Sequence, residues 1–132
     1  MKAISSSMTK GLCTGSYLTC ADNSGAKIIQ IISVKGYKGK RRTKPSVGVG
    51  GLVNVRVYKG NEKVRHLVHK AVIIRQKREF RRLDGMRVSF EDNAAVLVSD
   101  KFEPRGTLIK GPVAKEAVER FSIIGKVARM VV

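Results

Sequence analysis

The sequence has no tryptophan, and aromatic residues fill only 5% of its 132 positions. A protein that grips single-stranded nucleic acid by stacking base after base needs a denser aromatic platform. The composition therefore argues against that mode and against a cold-shock-like binder. Cysteine is equally scarce. Cys13 and Cys20 are the only two, too few for a disulfide framework, and the expected setting is the reducing cytosol. No run of about 18 apolar residues occurs, so no transmembrane helix is expected. Met1 to Thr9 is polar and Ser-rich, without the apolar core of a secretory signal. The largest deficit is negative charge. Ten Asp and Glu stand against 27 Lys and Arg, a formal net charge of +17 with a pI near 10.5.

Repulsion on that scale disfavours a compact state unless a polyanion is bound. Nucleic acid is the first candidate, because each neutralised phosphate releases a counterion. An anionic membrane surface is the second. A merely solvated basic face would mix both signs of charge. The 42% hydrophobic content suffices for one core in a chain of this length. There is no linker and no tandem repeat, so residues 1–132 read as one domain, with 1–10 either a lineage extension or a disordered one.

The periodicity is mostly strand-like. Ile28 to Val34 is a nearly continuous β-branched run, as expected of a strand buried on both faces. Leu52 to Tyr58 alternates, with Val53, Val55 and Val57 facing one way and Asn54, Arg56 and Tyr58 the other. Val68 to Ile74, Arg87 to Phe90, Ala94 to Val98 and Ser16 to Cys20 are further segments. Asp22-Asn23-Ser24-Gly25 suits a turn with a residue at positive φ. Lys59-Gly60-Asn61 and Asp84-Gly85 read as hairpin tips. Short strands at regular spacing predict a mainly β fold, a small closed barrel. After Gly111 the period changes. Pro112 suits a first helical turn, Val113, Ala117, Phe121 and Ile124 recur at helical spacing, and Gly125 is expected to end or kink that helix. A short helical or extended tail follows.

Two clusters carry the positive charge. Lys35, Lys38, Lys40, Arg41, Arg42 and Lys44, with Tyr37 and two glycines, lie between predicted strands. Glycine lets the backbone approach a phosphate, and the cations neutralise it. A long basic hairpin reaching into folded RNA fits this composition. Arg75, Lys77, Arg78, Arg81 and Arg82 lead to the Asp84-Gly85 turn, and arginine suits bidentate phosphate contact. Phe80 among them suits a stacked base or a core position. Lys63, Arg65 and Lys70 extend the positive surface.

Metal and catalytic chemistry find little support. His66 and His69, three apart on an expected strand, point to opposite faces; they read as surface histidines. The Cys13–Cys20 spacing lies outside the usual zinc patterns, so both read as small core thiols. No metal site and no cofactor is expected. Asp22, Glu91 and Asp92 sit in turn contexts where the side chain caps backbone groups. Gly36 to Lys40 lacks the spacing of a phosphate-binding loop, and Gly48-Val49-Gly50-Gly51 leads into a strand and not a helix.

Three ordered blocks resemble the universal large-subunit ribosomal protein fourteen family, from about Gly15 to the end. They are Ala21 to Ala26; then Ala71-Val72-Ile73-Ile74, the basic stretch to Arg82, Asp84-Gly85, Phe90, Asn93, Val96 and Val98; and Gly106-Thr107, Ile109, Gly111-Pro112-Val113 and Glu116. Lys35 to Lys44 and His69-Lys70-Ala71 look like the archaeal and eukaryotic branch. Met1 to Met8 is outside the family pattern. The resemblance implies a five-stranded β-barrel with a protruding basic β-ribbon and small C-terminal helices. It implies binding to large-subunit ribosomal RNA, neighbouring ribosomal proteins, and a bridge to small-subunit RNA. It also implies a C-terminal border with an anti-association factor of the initiation factor six type, placing Thr107, Lys110, Lys126 and Arg129 near the bridge or the factor. Leu108 stands where the bacterial pattern has Arg, so that contact does not carry over.

These observations point to a structural RNA-binding protein of the cytoplasmic ribosome, not an enzyme. The rival readings are a free basic RNA- or DNA-binding chaperone of barrel type and a metal-dependent RNA-processing enzyme, for which no converging acid, base and nucleophile is visible. A membrane-surface protein ranks lower, since Glu116 and Glu119 lie on the polar face of its one amphipathic helix candidate.

Overall fold

A computed structural model describes all residues 1–132. Its strands are β1 (Leu12–Cys13), β2 (Tyr17–Cys20), β3 (Ala26–Val34), β4 (Ser46–Val47), β5 (Leu52–Gly60), β6 (Val68–Arg75), β7 (Phe80–Arg81), β8 (Arg87–Val88), β9 (Ala94–Val98), β10 (Ile109–Val113) and β11 (Ala128–Val131). Three short helices join them: α1 (Glu62–Arg65), α2 (Lys115–Arg120) and α3 (Ser122–Val127). Five strands close a barrel in the order β2-β3-β5-β6-β9. Neighbours run antiparallel except β2 and β9, whose parallel pairing closes the ring. Closure leaves no open sheet edge in the barrel.

Two apolar clusters result. The barrel interior holds Leu18, Ile29, Ile31, Val53, Val55, Val57, Ala71, Ile73, Ala95 and Leu97. The second cluster lies outside the barrel, where Val72, Ile74, Ala94, Val96 and Val98 meet Phe80, Ile109, Val113, Ala117, Phe121 and Ile124. β6 and β9 are therefore the strands buried on both faces. β3 is not, contrary to its sequence pattern. Ile29 and Ile31 point in, while Ile28 is half-buried and Ile32 is exposed. Antiparallel pairing on an uncovered wall leaves one face to solvent.

The C-terminal segment also departs from its pattern. Pro112 lies in β10, and the first helix begins only at Lys115 after an extended Ala114. The helical run breaks at Phe121 (φ −125°, ψ 81°), not at Gly125, which lies inside α3. A Cβ at Gly125 would meet Val118 Cγ1 at 2.6 Å, so a close helix–helix approach explains that glycine. The tail forms β11 and pairs in parallel with β10. The expected Lys59-Gly60-Asn61 hairpin tip is the end of β5 running into α1. Asp84-Gly85 does form a tip between β7 and β8, with Gly85 at φ 87°.

Residues 1–10 are not detached. Lys2 N–H donates to Arg120 O, Met8 packs on the outer cluster, and Thr9 O accepts from Gln76 Nε2 at 3.0 Å. Gln76 is fully buried, also bonding Arg78 O and Val49 N–H, and so ties the N-terminal segment to the root of β7.

Candidate nucleic-acid interface

The charge asymmetry of the chain is spatially sorted. Residues 23–61 contain nine Lys and Arg and no carboxylate at all. This stretch builds β3, β5 and the loop 35–45 between β3 and β4. The loop has no strand pairing, so the expected basic hairpin there is an irregular loop. Lys35, Lys38, Lys40, Arg41, Arg42 and Lys44 are all exposed in it, and Tyr37 is half-buried with its ring over Gly39. Arg42 adopts φ 67°, a left-handed conformation costing of order 1 kcal/mol.

The two-stranded ribbon lies elsewhere, in β7–β8. Lys77, Arg78 and Arg81 are exposed on it, with Arg87 across the strand pair from Arg81 and bonded to Glu79. Loop and ribbon are joined by the N-terminal segment. Lys10 lines a cavity of about 540 Å³ together with Lys35, Lys38 and Arg120, and Gly11 lies directly against the Arg78 side chain.

Not every predicted cation belongs to this surface. Arg75 is buried. Its guanidinium holds Asp92 through Nε at 2.7 Å and Nη2 at 3.0 Å, and its Nη1 donates to the carbonyls of Lys110 and Pro112. Arg82 is nearly buried, paired with Glu116 at 2.7 Å and donating to Val132 O at 2.8 Å. Both arginines are committed to holding the C-terminal segment on the barrel, which removes them from the exposed set. Lys70 is half-buried and paired with the exposed Asp100. Phe80 is core, 1% exposed. The acidic residues are thus largely occupied by internal pairs and turns, and the free positive charge stands on the 35–45 loop, the ribbon and the outward faces of the strands.

Thr107, Lys110, Lys126 and Arg129 are exposed on the C-terminal side. Thr107 is fixed by Asn23, whose Oδ1 accepts from Thr107 N–H at 2.9 Å while its Nδ2 donates to Thr107 Oγ1 at 3.0 Å. Asp22, beside it, is buried and accepts from Leu97 N–H at 2.8 Å and from Ser24 N–H. This is the turn expected from Asp22 to Gly25, with Gly25 at φ 95°. The Cys20 thiol donates to Asp22, and burial, aided by that carboxylate, pushes its pKa up to about 12. It stays protonated and unreactive. Cys13 and Cys20 are half-buried free thiols, not fully buried ones. His69 is buried and bonded to Val64 O, against the expectation of a surface histidine, whereas His66 is exposed at the end of α1.

Sequence reasoning overlooked Lys10, Lys27, Lys59 and Arg87 as parts of the basic surface, and Tyr17 and Tyr58 as neighbours. The alternation of β5, which turns Arg56 and Tyr58 outward, and the absence of carboxylate from 23–61 were the available signals.

A closed barrel with an apolar interior, exposed cations and arginines clamping its cap presents a basic surface on a rigid frame, an arrangement suited to a polyanion. The comparisons agree. Residues 11–132 match the family model described as ribosomal protein L14p/L23e, and the chain belongs to that family. It is 52% identical to the large ribosomal subunit protein uL14 of Methanoregula boonei, 50% to that of Halorubrum lacusprofundi and 46% to that of Haloarcula marismortui. Each alignment covers 100% of both chains. The relatives are thus collinear with residues 1–10 as well. The family is one of structural ribosomal proteins, not enzymes.

Proposed function

We propose that this chain, a structural constituent of the large ribosomal subunit, clamps that subunit's RNA with the 35–45 loop and the β7–β8 ribbon. The observation that carries this is the sorting of charge. Lys35, Lys38, Lys40, Arg41, Arg42 and Lys44 stand free on one loop, Lys77, Arg78 and Arg81 on one ribbon, and Lys10 and Gly11 connect the two. Neutralised phosphates then supply the affinity and the rigid barrel holds the cations in register. Partner contacts also include neighbouring ribosomal proteins.

The C-terminal side serves a second contact, a bridge to small-subunit RNA that borders a docking surface for an anti-association factor of the initiation factor six type. Supporting this, Lys110 and Arg129 lie on paired strands, and Lys126 ends α3 nearby. Asn23 holds Thr107 in place beside them.

Two measurements test the clamp. Arg78→Ala with Arg81→Ala lowers affinity for large-subunit RNA and reduces the slope of log K against log salt by about 1 per lost phosphate contact. An unchanged slope removes the ribbon from the interface. In a lysate gradient, a tagged chain stays with large subunits at high salt; release by modest salt, or equal affinity for tRNA and duplex DNA, favours a free chaperone.

A further inference from the structure

Two of the three tyrosines, Tyr17 on β2 and Tyr58 on β5, meet on the outside of the barrel. Their ring centroids are 5.2 Å apart at 71°, edge to face. They are 51% and 46% exposed, so much of this apolar area remains unpaired with protein. The backbone beneath is irregular. Ile29 pairs with Val57 but Ile28 with Lys59, leaving Tyr58 as an extra residue on β5. Ala26 then pairs with Gly60, leaving Lys27 as the compensating extra residue on β3. Bulges re-aim side chains. Here both bulged residues, Lys27 and Tyr58, line one open cavity of about 330 Å³ with Lys59, Asn61 and Arg65.

No carboxylate lines this cavity. Glu62 opens α1 next to it, and Asp92, which Thr19 brings toward the Tyr17 side, is already bound by Arg75. Arg56, on the same strand as Tyr58, is held by Gln30 at 2.7 Å. The patch thus offers aromatic surface and three free cations within one short reach.

We propose that Tyr17 and Tyr58, with Lys27, Lys59 and Arg65, hold one or two unpaired nucleotides of an RNA strand. The bases stack on the tyrosines and the phosphates meet the cations, the two chemistries that a nucleotide presents side by side. A lipid surface wants a wider apolar area than two rings. A protein partner has to bring acidic side chains to three cations. The inference rests on the RNA-binding reading above and adds to it a single-stranded site away from loop and ribbon.

The test uses the full chain carrying Tyr37→Phe. With no tryptophan present, its emission then comes from Tyr17 and Tyr58 alone. A short oligoadenylate quenches that emission by stacking, and a duplex RNA of equal length does not. Tyr58→Ala weakens oligoadenylate binding about tenfold and spares the duplex, while Tyr58→Phe retains the affinity. Equal quenching by the duplex overturns the site, since paired bases present no free face. So does undiminished oligoadenylate binding by Tyr58→Ala while Arg78→Ala with Arg81→Ala weakens it; the RNA-binding reading then stands without this patch. Failure of every variant, and of the parent chain, to bind either RNA overturns both.

Discussion

On β3 the branched residues alternate between barrel interior and solvent, whereas on β6 and β9 they are buried on both sides. Each strand carries a stretch of Ile, Val, Leu or Ala in sequence, interrupted on β3 by Gln30 and Ser33. The difference comes from residues far along the chain. β10, α2 and α3 cover the outer faces of β6 and β9 and reach only Leu52 at the start of β5, so the outer side chains of β3 and of β5 from Arg56 onward stay open. Charge follows the same division. The covered wall is locked by Arg75 and Arg82, both turned inward on carboxylates and carbonyls. The open wall carries Arg56, Lys59 and Lys27 outward with no carboxylate in its stretch of chain. One wall is built for stability and the other is left free for contact.

The sharpest way to break this comparison is to truncate isoleucine on each wall. Ile74, fully buried under the cap, should cost about 2–5 kcal/mol on Ile74→Ala, by lost transfer energy plus a cavity. Ile32, 44% exposed on β3, should change the unfolding free energy from urea titration by less than about 0.5 kcal/mol on Ile32→Ala. Comparable losses at both sites would mean that the two walls are equally packed. The next effect is electrostatic. Glu116→Ala strands Arg82, whose side chain is only 12% exposed. A buried cation without its partner is strongly unfavourable, and a loss of about 2–3 kcal/mol is expected, read as a lower unfolding midpoint. Restoration by the further change Arg82→Met, which removes the stranded charge, identifies the charge and not the packing as the cause.

The barrel was legible in sequence because alternation on β5 and the turns at Asp22–Gly25 and Asp84-Gly85 are local properties, set by side-chain period and backbone preference. The division between the walls was not. Ile28 to Val34 is a β-branched run interrupted only by Gln30 and Ser33, and it reads much like Ala94 to Val98, yet only the latter is buried on both faces, because tertiary covering decides the second face. The same limit applies to the basic residues. Arg75 and Arg81 differ in sequence by nothing that tells an ion-paired clamp from a free cation, since their distinction lies in Asp92 and two carbonyls contributed by remote segments. Pro112 misled for a related reason. A proline before a helix commonly sits in its first turn, but here β10 pairs with the C-terminal tail and delays the helix by three residues, to Lys115.

The smallest expected effect probes the seam between the walls. Asp92 accepts from Thr19 on β2 at 3.1 Å and from Arg75, which in turn holds the carbonyls of β10. The Arg75 hydrogen bonds, and then its charge, outweigh burial and hold the Asp92 carboxyl below the usual carboxylate range. A carboxyl with a depressed folded pKa binds its proton more readily in the unfolded chain. Its contribution is therefore fully present above the unfolded value, near 4, and is lost as pH falls through the lower folded value. Asp92 is partly exposed, so water screens the pair and the contribution is modest. Asp92→Asn should accordingly lower stability at neutral pH and flatten its fall below about pH 4, measured as urea midpoint against pH. A parallel curve, shifted down with unchanged slope, would mean that Asp92 links the walls by hydrogen-bond geometry alone, and that the charge of Arg75 is balanced elsewhere.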